Sequence, residues 1–317
     1  MPLTAAAVKE RALALGFDLC GVAPAEAFPE LGALAGWLER GFAGEMRYLA
    51  RTADERADPR RVLPSARTVV ALGTVYNVDR PYSTEVGDPG EALIARYAWG
   101  DDYHDVIGRR LEALVAWMRE TAGAPFDARA YVDTGPVQER VLAARAGLGW
   151  IGRNACLIHP ELGSWLLLAE ILTSLDLDAD APGTDRCGTC TLCLDACPTG
   201  ALVEPGLLDA RRCVAYLTIE LKGPIPEPIE PGIGSHVFGC DVCQEVCPWN
   251  QMAPRSSDPA WQPRSAFDRP RLVDLAARSD DDLRRQMKGS AMLRTGLRGL
   301  RRNLRTALRR RGADPGV

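Results

Sequence analysis

Apolar and polar residues alternate along the first 175 residues in segments typical of helices and strands in turn. Apolar positions at helical spacing predict helices, and short uniformly apolar runs predict buried strands. The predicted helices read VKERALALG, HDVIGRRLEALVAWMRETAG and PVQERVLAARAG, the last with Pro136 at its first position. The predicted strands read FDLCGVAPA, ARTVVALGTVY and ARAYVDTG, and the apolar run WLLLAEILTSL closes the region. The pattern predicts one core of the α/β or the α+β class, and α+β is the class that we expect.

The pattern changes after residue 175. Residues 176–252 contain most of the cysteines, separated by proline and glycine, and show little periodic structure, as is common where a chain folds around metal clusters. A polar linker then leads to basic segments with helical spacing. The sequence therefore predicts a first domain of residues 1–175, a cysteine-rich domain of residues 176–252 and a short basic helical segment of residues 253–317.

The predicted C-terminal helix has one apolar face and one basic face. Between Leu283 and Ala313 the chain has eleven arginine and lysine residues and no acidic residue. Leucines recur there at helical intervals, at Leu293, Leu297, Leu300, Leu304 and Leu308. A docked helix with a solvated outer face is the simpler interpretation, but such a face normally mixes both charge signs. An unbroken positive stripe favours contact with a polyanion such as a nucleic acid.

The composition is that of an ordinary folded protein. The chain has 317 residues, 46% hydrophobic and 25% charged, and a formal net charge of −4. No apolar run approaches the roughly 20 residues that a membrane-spanning helix needs. Charges at residues 9–11 interrupt the opening MPLTAAAVKERALALGF, which predicts an amphipathic helix rather than a signal peptide. We therefore expect a cytoplasmic protein without a membrane partner.

Eight of the ten cysteines lie between residues 187 and 247, at spacings typical of metal ligands. Such a set favours cluster or zinc chemistry over disulfides, and it requires a reducing compartment. Cys20 and Cys156 lie outside this set, in the apolar sequences FDLCGVA and RNACLI. We interpret both as small buried hydrophobic residues.

The cysteine spacing predicts two 4Fe–4S clusters. Residues 187–198, CGTCTLCLDACP, have the C-x-x-C-x-x-C-x-x-x-C-P spacing of bacterial ferredoxins, in which the fourth cysteine binds the other cluster. Residues 240–248, CDVCQEVCP, supply the second half, and Cys213 is the remaining candidate for the missing ligand. Zinc would leave the two C-x-x-x-C-P endings unexplained. Crossing the fourth cysteines gives one cluster on Cys187, Cys190, Cys193 and Cys247, and a second on Cys197, Cys213, Cys240 and Cys243.

Two further motifs are not expected to carry function. The sequence GLGWIG (147–152) matches the dinucleotide pattern G-x-G-x-x-G, but a predicted helix precedes it and none follows, which is the wrong context. Asp102-Tyr103-His104 resembles the start of Asp-x-His-x-x-Gly, by which some proteins give cobalt a histidine ligand. The glycine of that motif would fall at position 107, which is Ile107. We therefore expect neither a Rossmann site nor a histidine-ligating cobalt box.

Several motifs, taken in their order, resemble the epoxyqueuosine reductase family. They are YVDTGPVQER (131–140), GLGWIGRN (147–154), GSWLLLAEIL (163–172), the cysteine set, CVAYLTIELKGPIPE (213–227) and HVFGCDVCQEVCPWN (236–250). The resemblance covers about residues 10–310. It implies a nitroreductase-like, cobalamin-binding domain fused to a ferredoxin-like module with two 4Fe–4S clusters, a plan shared with the reductive dehalogenases.

The resemblance also implies a reaction. In this family the epoxide of epoxyqueuosine, at the wobble position of a tRNA anticodon, loses its oxygen as water and becomes an alkene, the last step of queuosine synthesis. Two clusters feed single electrons to cobalamin, whose low-valent cobalt is strongly nucleophilic. Asp133 in YVDTG matches the family's proposed proton donor. The residues alone also allow Asp133 to cap a helix that begins at Pro136.

Other positions match the family's binding residues. The resemblance implies cobalamin contacts for Arg56, Asp133, Arg140, Asn154, Ser164 and Asp241, and a tRNA phosphate contact for Lys222. The family often has serine two residues after the equivalent of Cys213, where this chain has Ala215. To act as an acid at neutral pH, Asp133 needs a raised pKa, and enclosure by the corrin and the base is expected to provide it.

The leading hypothesis is a cobalamin- and iron–sulfur-dependent reductase. It acts on tRNA carrying epoxyqueuosine, as a monomer, with electrons from an external low-potential donor. One alternative is a reductive dehalogenase-like enzyme for a small molecule, against which stand the basic C-terminal face and the missing export signal. The other is an electron-transfer protein without a substrate of its own, which would not need the 175 residues that precede the cysteines.

Overall fold

Strands and helices alternate through the first 175 residues, as the sequence predicts. The computed structural model describes residues 3–85, 88 and 90–309. Its strands are β1 (Leu19–Pro24), β2 (Thr68–Val75), β3 (Leu93–Ile94), β4 (Ala128–Tyr131), β5 (Trp150–Ile151), β6 (Leu157–Ile158), β7 (Leu166–Thr173), β8 (Leu202–Glu204), β9 (Leu207–Leu208) and β10 (His236–Phe238). Its helices before the cysteine region are α1 (Ala5–Ala14), α2 (Ala33–Glu39), α3 (Arg47–Arg51), α4 (Ala53–Ala57), α5 (Pro59–Val62), α6 (Tyr103–Thr121) and α7 (Glu139–Arg145).

The helices of the remaining chain are mostly short. They are α8 (Leu192–Asp195), α9 (Val214–Ile219), α10 (Glu230–Ile233), α11 (Val242–Glu245), α12 (Leu272–Ala277), α13 (Asp280–Met287) and α14 (Gly296–Arg309). Among the described residues, no helix has both the length and the apolar character needed to cross a bilayer.

Four strands form the central sheet, in the order β1–β2–β7–β4. Every neighbouring pair in this sheet is antiparallel. All eight residues of β2 are buried, which fits its uniformly apolar sequence and its inner position. The sheet is therefore not the parallel sheet of an α/β protein, and the prediction of a mixed α+β fold is confirmed.

The sheet separates two hydrophobic cores. Alternate residues of a strand point to opposite faces, so Ala169 and Ile171 of β7 join the larger core with α1 and α6. Leu168 and Leu172 point the other way and pack in the smaller core with α7. Glu170 lies on the same face as these two leucines, opposite Tyr131 of β4. A carboxyl group is thus placed where the pattern calls for an apolar side chain.

The C-terminal helices pack on the larger core. Leu272, Leu300 and Leu304 belong to the same buried cluster as Ile107 of α6. Leu293 lies outside this face and is 51% exposed, because α14 begins only at Gly296. The cysteine region is joined to the first region by backbone hydrogen bonds, since β10 pairs in parallel with β3. Residues 253–309 thus share the core of the sheet.

Candidate active site

The first group of cysteines lies around one cavity. Cys193 lies in α8, Cys187 and Cys190 lie in the loop before it, and Cys247 lines the same cavity from the second cysteine run. The indole N–H of buried Trp150 donates to Cys187 Sγ at 3.3 Å. Hydrogen bonds to cysteinyl sulfur stabilise the thiolate that iron binds and tune the potential of a cluster. The four cysteines predicted to share a cluster are therefore brought together, with room between them.

The second group consists of Cys197, Cys213, Cys240 and Cys243. Cys213 precedes α9 directly, and its thiol interacts electrostatically with those of Cys197, Cys240 and Cys243. Cys197 Sγ accepts the backbone N–H of Ala201 at 3.2 Å. The eight thiols thus lie in two groups that follow the crossed spacing, and their assignment as the ligands of two clusters stays a prediction.

Replacing Cys213 by alanine is expected to remove one cluster and spare the other. Cys213 belongs to the second group, so the first group keeps its four thiols. Anaerobically reconstituted Cys213→Ala should bind about four irons in place of about eight, with one set of cluster spectral features lost. Cys20→Ala, on β1, is the matched control and should keep the full iron content. Eight irons with unchanged spectra in Cys213→Ala would show that another residue completes the second cluster.

A ninth cysteine also lies at the second group. Cys156 is half-buried, and its thiol interacts with that of Cys243. This interaction lowers the pKa of Cys156 and raises that of Cys243. Cys156 is therefore not the isolated hydrophobic residue that its neighbours in sequence predict. The contact arises from the β5–β6 hairpin, which carries Cys156 toward Cys243 without any mark in the cysteine spacing.

Asp133 lies two residues beyond the end of β4, in a turn where its φ is 55°. This left-handed backbone is uncommon outside glycine, and aspartate is among the residues that tolerate it. Asp133 Oδ2 accepts the Tyr103 hydroxyl at 2.9 Å and lies 3.3 Å from His104 Nε2. The side chain is nevertheless 53% exposed. The carboxylate is thus held by donors on one side and open on the other.

His104 lies between two carboxylates. Its Nδ1 is 2.8 Å from Asp102 Oδ1, and its Nε2 faces Asp133. Burial lowers the pKa of His104, but the hydrogen bonds that its ring donates to both carboxylates, together with their negative charges, outweigh burial and raise that pKa to about 9. Burial raises the pKa of Asp133, but hydrogen bonds from His104 and Tyr103 outweigh it, so that pKa lies below its ordinary value.

At neutral pH the proton of this group therefore resides on the imidazole of His104. The resemblance predicts a raised pKa for Asp133, whereas the structure has a lowered one. The difference has a physical reason: a carboxylate that accepts hydrogen bonds from a hydroxyl and from a cation is stabilised in its charged form.

Arg56 supports the loop that carries Asp133. Its guanidinium donates to Val137 O at 2.6 Å and to Gly135 O at 3.0 Å. Gly135 lies against the ring of Tyr131, where an added Cβ would come within 2.4 Å of a ring carbon. Two of the Arg56 donors are therefore committed to the shape of this loop rather than open to a cofactor.

The capping interpretation of Asp133 does not agree with the structure. Helix α7 begins at Glu139, and its N-cap residue Gln138 makes no side-chain cap hydrogen bond. The predicted helix start at Pro136 is therefore wrong. The carbonyls of residues 135 and 137 are held by Arg56 in a loop, which delays the first helical turn.

Two more carboxyl groups lie near the Asp133 loop. Glu139 lies near the backbone N–H of Asp133, and burial raises the pKa of Glu139 to about 7. Glu170 is fully buried, and neither carboxyl oxygen has a hydrogen-bond partner among the described residues. Burial, together with the charges of Glu139 and Asp133, raises the pKa of Glu170. Burial without a hydrogen-bond partner favours the protonated form of a carboxyl group, and this is the direction in which the pKa of Glu170 is shifted.

Arg140 and Asn154 lie between the Asp133 loop and the second cysteine group. Arg140 Nη1 donates to Ala155 O at 2.5 Å. Asn154 is buried, and its side-chain amide nitrogen lies 3.4 Å from Cys243 O. These contacts form a continuous path of polar groups from α7 to α11.

Ser164 and Asp241 are buried beside the same cysteine group. Ser164 Oγ accepts from the amide of Asn250 at 2.9 Å. Asp241 accepts the backbone N–H of Arg96 at 2.7 Å, and burial raises its pKa to about 7. Burial also raises the pKa of Tyr97, and the charges of both Asp133 and Asp241 add to that effect. The tyrosine ring is thus near both carboxyl groups, which relates the Asp133 site to the second cysteine group.

Comparison with known proteins agrees with this arrangement. Residues 56–134 match the family model described as "Epoxyqueuosine reductase QueG, DUF1730", and residues 186–250 match that of a 4Fe-4S double cluster binding domain. The epoxyqueuosine reductase of Gloeobacter violaceus is 48% identical over 317 residues, covering 97% of each chain. The chain belongs to the epoxyqueuosine reductase family. The enzyme of Xanthomonas campestris is 42% identical, covering 99% of this chain and 88% of that protein.

Solved epoxyqueuosine reductases have the same fold. One, crystallised with an epoxyqueuosine-modified tRNA-Tyr stem loop, gives a TM-score of 0.87 at 32% identity, covering 97% of this chain and 81% of that chain. The Bacillus subtilis enzyme, with its catalytic aspartate loop swung out of the active site, gives 0.84 at 33% identity, covering 95% and 80%. The predictions of an oxidoreductase and of two 4Fe–4S clusters are confirmed by the family and by the double-cluster model.

In this epoxyqueuosine reductase family member, Lys222 lies on the surface near the Asp133 site. Its backbone N–H donates to Glu45 Oε2 at 3.0 Å, and the residue is exposed. Two residues before it, Glu220 pairs with Arg294 at 2.9 Å. The positive charge of Arg294 contributes to lowering the pKa of Asp133. Lys222 is therefore two residues from Glu220, whose partner Arg294 acts electrostatically on Asp133.

In the described part of the chain, the fold pairs several arginines of the predicted positive stripe. Arg294, Arg301 and Arg309 pair with Glu220, Asp280 and Glu230, and Arg302 donates to the carbonyls of Leu217, Leu221 and Gly223. In the described part of α14, Arg298 and Arg305 are exposed. Between residues 283 and 309 the predicted basic face is therefore not unbroken, because Glu220, Glu230 and Asp280 lie against it in the folded chain, and residues 310–313 of the predicted stripe lie outside the described residues.

The two motifs set aside in the sequence have different outcomes. GLGWIG follows α7 and leads into β5, and a Cβ on Gly149 would come within 2.1 Å of Ile158 O, so this glycine serves the hairpin. Both ring nitrogens of His104 face carboxylates, as expected if it is not a cobalt ligand. Yet setting the Asp102–His104 motif aside missed Tyr103 and His104 as site residues. The available signal was an Asp-x-His at the start of a long amphipathic helix.

Proposed function

We propose that this protein reduces epoxyqueuosine in tRNA to queuosine by removing the epoxide oxygen as water. The group formed by Tyr103, His104 and Asp133 carries the proposal, because it joins an open carboxylate to a charged imidazole. Removing an epoxide oxygen requires two electrons and two protons, and the protons must reach that oxygen. The solved relative with an epoxyqueuosine-modified tRNA stem loop supports this choice of substrate.

Two 4Fe–4S clusters would supply single electrons at low potential. Cys187, Cys190, Cys193 and Cys247 would hold one cluster, and Cys197, Cys213, Cys240 and Cys243 would hold the other. An external low-potential donor is the proposed source of the electrons.

Cobalamin is the proposed cofactor at the Asp133 site, and when bound it supplies a low-valent, strongly nucleophilic cobalt. The chemistry of the available side chains fits such a group. A corrin carries amide side chains, and the guanidinium of Arg140, the amide of Asn154 and the carboxyl of Asp241 offer donors and acceptors that match them. Ser164 and Asp133 add a hydroxyl and a carboxylate. The role of Arg56 is then to hold the Asp133 loop in place.

Asp133 is the proposed group that protonates the substrate oxygen. Its exposed side supports this role, as does the description of the corresponding loop of the Bacillus subtilis enzyme as a catalytic aspartate loop. Tyr103 donates to the carboxylate and fixes its orientation. Because the pKa of Asp133 is lowered, the carboxylate needs a neighbour from which to obtain protons.

The proposed organisation follows the predicted segments. Residues 1–175 would form a nitroreductase-like, cobalamin-binding catalytic domain and residues 176–252 a ferredoxin-like module. Residues 253–317, of which 310–317 lie outside the described residues, are the predicted basic helical segment. Lys222 is the proposed phosphate contact, and exposed Arg298 and Arg305 are available for further backbone contacts with tRNA. We expect a cytoplasmic monomer.

Turnover of tRNA that carries epoxyqueuosine tests the proposal. The protein is reconstituted anaerobically with iron, sulfide and cobalamin, reduced with a low-potential chemical donor and incubated with the tRNA. Mass spectrometry of the released nucleosides should then detect the loss of one oxygen. The same tRNA bearing queuosine is the control and should remain unchanged.

Two outcomes of the same preparation would overturn the proposal. No loss of oxygen from tRNA, with turnover of a halogenated small molecule instead, would indicate a dehalogenase-like reductase. A preparation that contains about eight irons but does not bind cobalamin would indicate an electron-transfer protein instead.

A further inference from the structure

We propose that His104 delivers protons to the substrate oxygen through the carboxylate of Asp133, and that Asp102 positions the imidazole for this transfer. The inference rests on the proposed function and adds the source of the protons. Asp133 remains the group that touches the substrate, and His104 acts through it.

The geometry is that of a proton relay. Asp102 Oδ1 accepts the backbone N–H of His104 at 3.1 Å and lies 2.8 Å from its Nδ1. The residue that caps α6 thus also fixes the tautomer and the orientation of the ring. Nε2 is left facing Asp133 Oδ2 at 3.3 Å, close to the range over which protons are transferred. Tyr103 donates to the same oxygen at 2.9 Å and holds it in place.

The distribution of protons favours His104 as the source. At pH 7, a carboxyl group with an ordinary or lowered aspartate pKa is protonated in about one molecule in 10³ or fewer. An imidazole with a pKa of about 9 is protonated in roughly 99% of molecules at that pH. Several titratable or charged groups lie near His104. On or beside its own helix they are Asp102, Tyr103, Glu112 and Arg119, and on or after β4 they are Tyr131 and Asp133. The charge of Arg264 acts on Asp102.

The two transfers account for the atoms and electrons of the reaction. The first C–O bond of the epoxide breaks as its oxygen takes one proton. The second breaks as the resulting hydroxyl takes another proton and leaves as water, while the carbon–carbon double bond forms. The two electrons come from the external donor already proposed. In each transfer a proton passes from Nε2 to Asp133 and on to oxygen, which leaves a neutral imidazole and a carboxylate.

A cavity provides the route by which His104 regains its proton. A space of about 520 Å³ lies between α6 and β4, and His104 and Thr134 line it at the Asp133 end. Glu112 and Arg119, both exposed, line it where it reaches the surface. Because His104 lines this cavity, water within it reaches the imidazole. The relay can therefore be recharged between the two proton transfers.

Titration of the histidines tests the relay without any turnover. The chain has three histidines, which are His104, His159 and His236, so substitution assigns each NMR signal. In cluster-loaded, oxidised protein, His104 should titrate near pH 9, the direction that its two carboxylates impose. Asp102→Asn and Asp133→Asn should each lower this midpoint by about one unit or more, with His159 unchanged. A His104 midpoint near 6.5 that neither variant moves would overturn the proposal.

The pH dependence of turnover provides the second test. Wild-type kcat should be level near pH 7 and fall about tenfold per pH unit above about 9, where the imidazolium is lost. His104→Gln should lower kcat at pH 7 at least about tenfold, with little change in KM, and remove this alkaline decline. His104→Ala should regain activity when imidazole is added, because the cavity admits it. His159→Gln is the matched control and should keep the wild-type profile.

The two proposals fail in different ways. Wild-type turnover with His104→Gln at the same rate and with the same alkaline decline would refute the relay alone. No turnover by the wild type would refute the proposed function. The histidine titration would still decide whether Asp102 and Asp133 raise the pKa of His104.

Discussion

Replacing Asp133 by asparagine is expected to lower turnover of epoxyqueuosine-bearing tRNA by about 10²–10⁴-fold, the usual contribution of a positioned acid. Asparagine has nearly the same shape, and its carbonyl can still accept the Tyr103 hydroxyl. It cannot take up a proton and pass it on. Loss of the negative charge also lowers the pKa of His104. The variant therefore lacks the carboxylate that passes the proton on, and His104, which supplies the proton, is protonated in fewer molecules.

The measurement separates chemistry from folding. Iron content and cluster spectra of Asp133→Asn should equal those of the wild type, since Asp133 belongs to neither cysteine group, and cobalamin should still bind through the other contacts proposed for it. Thr134→Ser, in the same exposed turn, is the matched control and should turn over normally. Asp133→Glu keeps a carboxyl group at a shifted position and should retain partial activity. Turnover by Asp133→Asn within twofold of the wild type would remove Asp133 from the reaction.

The parts that the sequence predicts well are those with local or periodic signals. The uniformly apolar run that becomes β2 has no amphipathic alternative, so its burial and inner position follow from composition. The cysteine assignment also follows from local spacing, because the C-x-x-x-C-P ending has a geometric meaning that crosses between two clusters. Cys213 was reachable by elimination, although a proline-rich connector separates it from Cys240.

The proton-carrying groups could not be predicted in the same way. Tyr103 and His104 meet Asp133 only because the first turn of α6 lies beside the end of β4, about 30 residues away in sequence. Glu170 appears in an apolar run, and nothing local indicates that its carboxyl stays unpaired. Both features depend on tertiary contacts between distant segments.

The surface charge of the C-terminal segment also could not be predicted from the sequence alone. Counting arginines along the chain gives a positive stripe, but Arg301 pairs with Asp280 on the neighbouring helix and Arg309 with Glu230. A run of like charges predicts a basic surface only when the fold leaves it unpaired. Here that description holds for Arg298 and Arg305 on the described part of α14.

Arg96 is the most deeply buried arginine or lysine among the described residues, and its contacts allow a test of the fold. Its side chain is 2% exposed and lies 4.8 Å from the ring centres of both Tyr82 and Trp99. The guanidinium donates to Val78 O at 3.1 Å and to Arg80 O at 2.6 Å. A planar donor set thus holds a loop by its carbonyls while aromatic rings cover its faces.

Replacing Arg96 by methionine is expected to lower the free energy of unfolding by about 3–5 kcal/mol, as measured by anaerobic urea unfolding of cluster-loaded protein. Methionine fills similar volume, but the buried carbonyls lose their donors and pay the full desolvation penalty. Arg96→Lys keeps the charge without the planar fork and should recover only part of the loss. Arg298→Met, at an exposed arginine, should change the free energy of unfolding by no more than about 0.5 kcal/mol.

The backbone N–H of Arg96 donates to Asp241, which lies between Cys240 and Cys243. The second cluster should therefore lose iron first in Arg96→Met. An unfolding free energy within about 1 kcal/mol of the wild type would mean that the loop carbonyls find other donors.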